Sequence, residues 1–178
     1  QYQKSLRDTG NLEKNMPSFA QVFSKLSSLS NIPFDVYTQD YWRSHKLFPS
    51  IVKRIIDKRD TLGSYLSPET RKLGIRAPCP VQSCGLADKK GITNQYGDNG
   101  NISFFCPYHG QYKVNLDSKE DVQRLGFNTP LRNLIRILIC SQDKNRSWIM
   151  CTGADYAGFY QEQLMWRQLE KPMDAPFI

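Results

Sequence analysis

The sequence predicts an α/β fold, part of a mostly parallel sheet with a small β unit inserted into it, and three observations carry that expectation. Apolar stripes at helical spacing flank a stretch rich in Cys, Gly and Asn; that stretch contains short β-prone runs; and the last third reads as strand, helix, strand. The 178 residues are 39% hydrophobic and 12% aromatic, enough to build a core and too aromatic for a disordered tail. No window approaches the roughly 18 apolar residues that a membrane span requires, so no membrane partner is expected. Residues 1–4 show neither a basic segment followed by an apolar run nor an initiator Met, so flanking sequence is expected.

Residues 1–77 read as a helical, basic segment. Phe19, Val22, Phe23, Leu26 and Leu29 recur behind Pro17-Ser18 as an amphipathic helix that ends before Asn31-Ile32-Pro33 and packs its stripe into the core. Residues 34–37 suit a short strand, and Thr38 a cap for a helix through Tyr41 and Trp42. Phe48, Ile51, Val52, Ile55 and Ile56 form a second stripe from Pro49, with Lys46, Lys53, Asp57 and Lys58 pointing elsewhere. Ser67-Pro68-Glu69-Thr70 has the cap, proline and early carboxylate of a short helix that Gly74 ends.

Residues 78–116 read as the inserted β unit, with a strand at 102–105 after the turn-forming Gly97-Asp98-Asn99-Gly100. In residues 117–178, Thr129 caps a helix with Pro130 first and Leu131, Leu134, Ile135, Leu138 and Ile139 on one side. Residues 148–151 read as a buried strand, Gly153-Ala154-Asp155 as a turn into a helix, and Phe177-Ile178 as the start of another strand. Such a β-α-β unit crosses over right-handed in a parallel, Rossmann-like sheet, whose remaining strands the chain hardly supplies. It is therefore expected to be part of a larger α/β protein.

Cys79-Pro80-Val81-Gln82-Ser83-Cys84 and Cys106-Pro107-Tyr108-His109-Gly110 are two ligand pairs separated by 21 residues, a length that suits a hairpin. Two tight turns held apart by a hairpin bring four soft or borderline donors into a tetrahedron, the arrangement of a zinc ribbon. The expected ligands are Cys79, Cys84, Cys106 and His109, and the expected cofactor is a structural Zn²⁺, because four protein donors leave no open position. Cys140 and Cys151 lie in apolar periodic runs and read as core thiols, and His45 as a packing or surface residue. The odd count of five cysteines argues against a disulfide scaffold and for a reducing, cytoplasmic setting.

Lys and Arg number 24 against 17 Asp and Glu, and the excess is local: residues 41–76 carry nine basic and three acidic side chains. Arg43, Lys46, Lys53, Arg54, Lys58 and Arg59 read either as a solvated face or as one that neutralises RNA phosphates. Asp155 reads as a helix cap or, beside Gly153, as a group at the carboxyl edge of a sheet where a ligand binds. Tyr156, Phe159, Tyr160 and Gln163 share one side of a helix; spacing alone favours core aromatics over pocket lining, and a solvated Glu162.

The order of parts, from basic helix through zinc insertion and strand to the Thr-Gly-x-Asp turn, is similar to the middle of a class I aminoacyl-tRNA synthetase catalytic domain, most nearly the lysyl type. Residues 152–164, Thr152-Gly153-Ala154-Asp155-Tyr156-Ala157-Gly158-Phe159-Tyr160-Gln161-Glu162-Gln163-Leu164, resemble more closely the fungal arginine-containing cyclodipeptide synthases, relatives of those synthetases. The resemblance covers roughly residues 34 to 178. It implies an enzyme that joins arginine and a second amino acid, both delivered on aminoacyl-tRNA, into a diketopiperazine without consuming ATP. It also implies Asp155, Tyr156, Tyr160 and Glu162 as catalytic residues, Gly153, Asp155, Phe159 and Gln163 as substrate-binding residues, and tRNA contact by the six basic residues. Neither a His-Ile-Gly-His-like nor a Lys-Met-Ser-Lys-Ser-like segment is present. Two alternatives stay open: a fragment of a lysyl-type synthetase, and a noncatalytic zinc-ribbon module that binds RNA.

Overall fold

Both short apolar stripes are buried throughout: Phe48, Ile51, Val52, Ile55 and Ile56 on one helix, and Leu131, Leu134, Ile135, Leu138 and Ile139 on another. The computed structural model describes residues 1–5, 9–98 and 100–149. In chain order they form strand β1 (Tyr2–Lys4) and helices α1 (Asn11–Ser30), α2 (Gln39–Arg43), α3 (Phe48–Asp57) and α4 (Arg59–Leu66). Strands β2 (Ile75–Arg76), β3 (Leu86–Asp88), β4 (Gln95–Tyr96), β5 (Asn101–Cys106) and β6 (Gly110–Asn115) follow, then α5 (Lys119–Gln123), β7 (Gly126–Phe127) and α6 (Thr129–Cys140).

The architecture is mixed α/β with three small antiparallel sheets: β1 with β3, β2 with β7, and β4-β5-β6 in that order. Residues in β5 alternate as strand geometry requires, with Ile102, Phe104 and Cys106 buried between less buried neighbours. Ile102 pairs with Val114 and Phe104 with Tyr112, so one face of the hairpin presents Ile102, Phe104 and Val114 to the same hydrophobic cluster as α3 and α6. Phe48 and Phe127 meet edge to face at 5.7 Å within it. Asn128 fastens α6: its side chain accepts from Leu131 N at 3.1 Å and donates to Ser67 Oγ at 3.1 Å.

Among the described residues no strand pair is parallel. The turn, helix and second strand of the expected β-α-β unit lie outside the described residues; of its first strand, Trp148 and Ile149 are described, belong to no strand, and are exposed. Residues 34–37 form no strand either, since no described strand pairs with them; Tyr37 instead packs on Tyr41 and Trp42. Ser67-Pro68-Glu69-Thr70 makes a single turn rather than a helix. Ser67 O accepts from both Thr70 N and Arg71 N, and Arg71 then takes a left-handed φ of 53° that stops propagation. The helix of this region is α4, one turn earlier.

The first stripe is also corrected. Its helix starts at Asn11, because Leu12 and Met16 extend the same face through Pro17, and it ends as expected before Asn31, which adopts the left-handed cap conformation. None of its residues is buried. Among the described residues the stripe meets Phe34, whose ring contacts Phe23 at 6.1 Å, and not the shared core.

Candidate metal centre

Two turns deliver the four predicted donors to one place. In the first, Cys79 N donates to Leu86 O at 2.9 Å and Cys84 N to Val81 O at 3.1 Å, while left-handed Ser83 and Gly85 (φ 71° and 60°) reverse the chain between the two cysteines and β3. In the second, Cys106 and Gly110 are the last cross-strand pair of the β5-β6 hairpin, and the left-handed φ of Gly110, 75°, closes it. The ligand atoms of Cys79, Cys84, Cys106 and His109 all lie within 4.8 Å of one another, and all three cysteines are free thiols.

Three of the six donor–donor separations match a tetrahedron's edges, and all six lie within 4.8 Å. Cys84 Sγ is 3.7 Å from Cys106 Sγ, and His109 Nδ1 is 3.5 Å from Cys79 Sγ and 3.6 Å from Cys106 Sγ. His109 turns its Nδ1 into the cluster while the residue stays exposed, and Cys79 and Cys106 are buried. The group is close enough to hold a metal ion through four protein donors.

The electrostatics prepare the thiols unequally. Burial pushes the Cys79 thiol up to about 11, aided by the neighbouring cysteines. Burial acts the same way on Cys106, but the backbone amides of Tyr108 and His109 and the His109 ring outweigh it and bring that thiol down to about 7. A metal held here would meet a readily ionised thiol on the hairpin and a more firmly protonated one at Cys79.

Sequence reasoning did not find the residues that hold these turns. Tyr112 stacks on Phe104 at 5.8 Å and its hydroxyl donates to Ala77 O at 2.6 Å. Burial raises its phenol well above the usual range, and the charges of Cys79 and Cys106 add to this. Arg124 donates to Pro78 O at 3.2 Å and to Asp121 Oδ1 at 3.3 Å, clamping the chain just before Cys79. The N-terminal strand contributes Lys4, whose Nζ donates to Ser83 O at 2.7 Å inside the first turn.

Buried Asp88 accepts from Gln1 Nε2 and from Thr93 N, Thr93 Oγ1 and Lys90 N at 3.0–3.1 Å. Burial alone would raise its carboxyl; these hydrogen bonds reverse the effect and hold it below the ordinary value. A polar N-terminus and a lone Asp gave no periodic signal by which to find any of this.

The six basic residues run from the end of α2, through the turn before α3 and along α3, to the first residue of α4. Arg43 donates to Asp40 Oδ1 at 2.9 Å and to Gln123 O at 3.1 Å, and Lys53 reaches Asp117 Oδ1 at 2.6 Å. Arg59 lies over the Tyr96 ring at 5.8 Å, Lys46 is exposed, and Arg54 and Lys58 are half-buried. Gly153, Asp155, Tyr156, Phe159, Tyr160, Glu162 and Gln163 lie outside the described residues. His45 accepts from Leu47 N at 3.3 Å, and Cys140 is half-buried on α6. No described helix is long and apolar enough to cross a membrane. Compared with models of protein families, with curated proteins and with solved structures, the chain matches none.

Proposed function

We propose that the chain belongs to a tRNA-dependent cyclodipeptide synthase that joins arginine to a second amino acid, and that Cys79, Cys84, Cys106 and His109 hold a structural zinc ion in it. The convergence of those four donors carries the zinc assignment, and the resemblance of residues 152–164 supports the synthase reading. Zinc bonds of about 2.3 Å to sulfur and 2.0–2.1 Å to nitrogen give tetrahedral edges of about 3.8 and 3.6 Å, beside 3.7 Å for Cys84–Cys106 and 3.5 and 3.6 Å for His109 to Cys79 and Cys106. The Cys₃His donor set favours zinc over a hard cation. When bound, the ion supplies cross-linking rather than Lewis-acid chemistry.

In this reading residues 117–178 are part of a Rossmann-like sheet whose other strands belong to a larger protein, and Asp155, Tyr156, Tyr160 and Glu162 handle protons while one amine attacks the other ester carbonyl. Proximity of the two aminoacyl groups supplies most of the acceleration. The basic residues of α2 to α4 bring the tRNA backbone to the site in the cytoplasm. The second reading, a zinc module that binds RNA without catalysis, is favoured by the closed donor set.

Incubation of the full-length protein with arginyl-tRNA and a second aminoacyl-tRNA separates these readings. An arginine diketopiperazine supports the synthase. Amino-acid-dependent exchange of pyrophosphate into ATP supports a lysyl-type synthetase instead, and RNA binding with neither activity supports the module. Elemental analysis giving one zinc per chain supports the metal assignment; Co²⁺ substitution then yields the absorption of a tetrahedral thiolate site.

A further inference from the structure

A second site lies away from the cysteine cluster. The start of α4, the turn after it and β4 enclose a cleft of about 200 Å³ lined by Arg59, Asp60, Arg71, Lys72, Leu73, Asn94 and Tyr96. Three cations face one carboxylate there. Among the described residues none of the three has an ion-pair partner: Arg59 donates to Ile56 O at 3.3 Å and covers the Tyr96 ring, while Arg71 and Lys72 are exposed.

The floor of the cleft is polar and unsatisfied. Tyr96 Oη and Asn94 Oδ1 are buried without a well-aligned hydrogen-bond partner among the described residues; the Asn94 amide itself lies beside the Tyr96 hydroxyl. Asn94 cannot turn to help itself, because its Nδ2 donates to Ile75 O at 2.7 Å and so fixes the amide. A buried donor and a buried acceptor left short of good partners are costly, so an occupant that meets them is bound more tightly than charge alone provides.

The wall is built rather than incidental. Arg71 holds a left-handed φ of 53°, and Gly63 of α4 lies so close that a Cβ there would stand 2.5 Å from the Arg71 carbonyl oxygen. Removing that Cβ lets the turn press onto the helix and sets Arg71 and Lys72 opposite Arg59. The volume is below the roughly 300–1,000 Å³ of sites for drug-sized ligands, and matches a single anionic group with part of its carrier.

We propose that this cleft is a phosphate subsite. Arg59, Arg71 and Lys72 neutralise one phosphate, and Tyr96 Oη and Asn94 Oδ1, reached by a shift of the Arg59 side chain, serve as donor and acceptor to the attached nucleoside. The phosphate belongs either to an RNA backbone or to a free nucleotide. The proposal stands apart from the synthase reading, which uses only Arg59 of these residues.

The test uses the full-length, zinc-loaded protein with three probes: a fluorescent single-stranded RNA, AMP and adenosine. Arg71→Asn/Lys72→Gln removes two charges while Asn tolerates the left-handed turn, Tyr96→Phe removes the hydroxyl alone, and Lys119→Glu on α5 is the charge control. The subsite requires at least tenfold weaker binding of RNA or AMP by the double variant, severalfold weaker binding by Tyr96→Phe, and little change for Lys119→Glu. For RNA, the log–log salt slope should also fall by about 0.7, one single-strand phosphate.

Loss confined to RNA identifies the backbone as the source, and loss of AMP a free nucleotide. Equal binding by wild type and both cleft variants, no binding of any probe by wild type, or adenosine binding as tightly as AMP overturns the proposal. Zinc content and thermal melts of each variant separate a lost contact from a lost fold.

Discussion

Helices α1 and α3 carry equally legible apolar stripes and end in opposite environments. In α3, Val52 is 0% and Ile55 1% exposed; in α1, Phe19 is 56% and Leu29 75% exposed. Capping does not follow this contrast: neither Gly10 of α1 nor Leu47 of α3 makes a side-chain cap, whereas Asn128 caps α6. An amphipathic stripe states that a helix has a face to cover, and says nothing about which surface covers it. For α3 the covering surface is α6 and the β5-β6 hairpin, and the hairpin ends at the Cys/His cluster.

The largest effect should come from disabling that cluster. Structural zinc contributes apparent binding free energies of about 10–16 kcal/mol in zinc-finger peptides, comparable with the about 5–15 kcal/mol that holds a whole domain together. Chelation or Cys106→Ser should therefore lower Tm more than any single truncation in the core. A thermal melt unchanged by chelator would show the metal to be dispensable. Because the thiols must lose protons, apparent metal affinity should rise between pH 6 and pH 8, read by competition with a chromophoric chelator.

Next in size is the covered stripe. Ile55→Ala removes buried methylenes between α3 and its neighbours and should cost about 2–5 kcal/mol in denaturant unfolding. A cost below 1 kcal/mol would mean that α3 is no better covered than α1.

A smaller effect is expected outside both helices, where Asp88 ties Gln1 and the 88–93 loop together. Its folded carboxyl lies below the ordinary value, so its contribution is fully present above the unfolded value of about 3.9 and is lost as pH falls through the folded one. Stability should decline below about pH 4, and Asp88→Asn should flatten that decline, as measured by urea midpoints between pH 3 and pH 6.

The smallest effect is expected on α1. Phe23→Ser should change unfolding free energy by no more than about 0.5 kcal/mol. A loss of 2 kcal/mol or more would show the stripe to be covered in solution and would erase the contrast with α3.

Much was legible in the chain before its fold was known. The stripes of α3 and α6 were readable because a period of 3.6 residues survives any context. The four donors were readable because zinc imposes chemistry and spacing together. What escaped reading is nonlocal. Strand β1 lacks alternation, and it exists because β3 offers an edge, with Gln3 opposite Ala87. Strands β2 and β7, two residues each, pair across fifty positions of chain, Ile75 with Phe127, and so short a run has no periodicity to detect. Residues 34–37 have strand composition and no strand partner among the described residues, which decided against them.

By itself the sequence determined which side chains are apolar on one face, which four can share an ion, and where positive charge concentrates. Side-chain chemistry and local period are properties of the chain, so they need no partner to be true. The tertiary structure alone decided which faces are covered, that Tyr112 and Arg124 brace the cysteine turns, and that Arg59, Arg71, Lys72, Asn94 and Tyr96 line one cleft. Those are relations between segments distant in the chain, set by packing and hydrogen bonding that no window of residues contains.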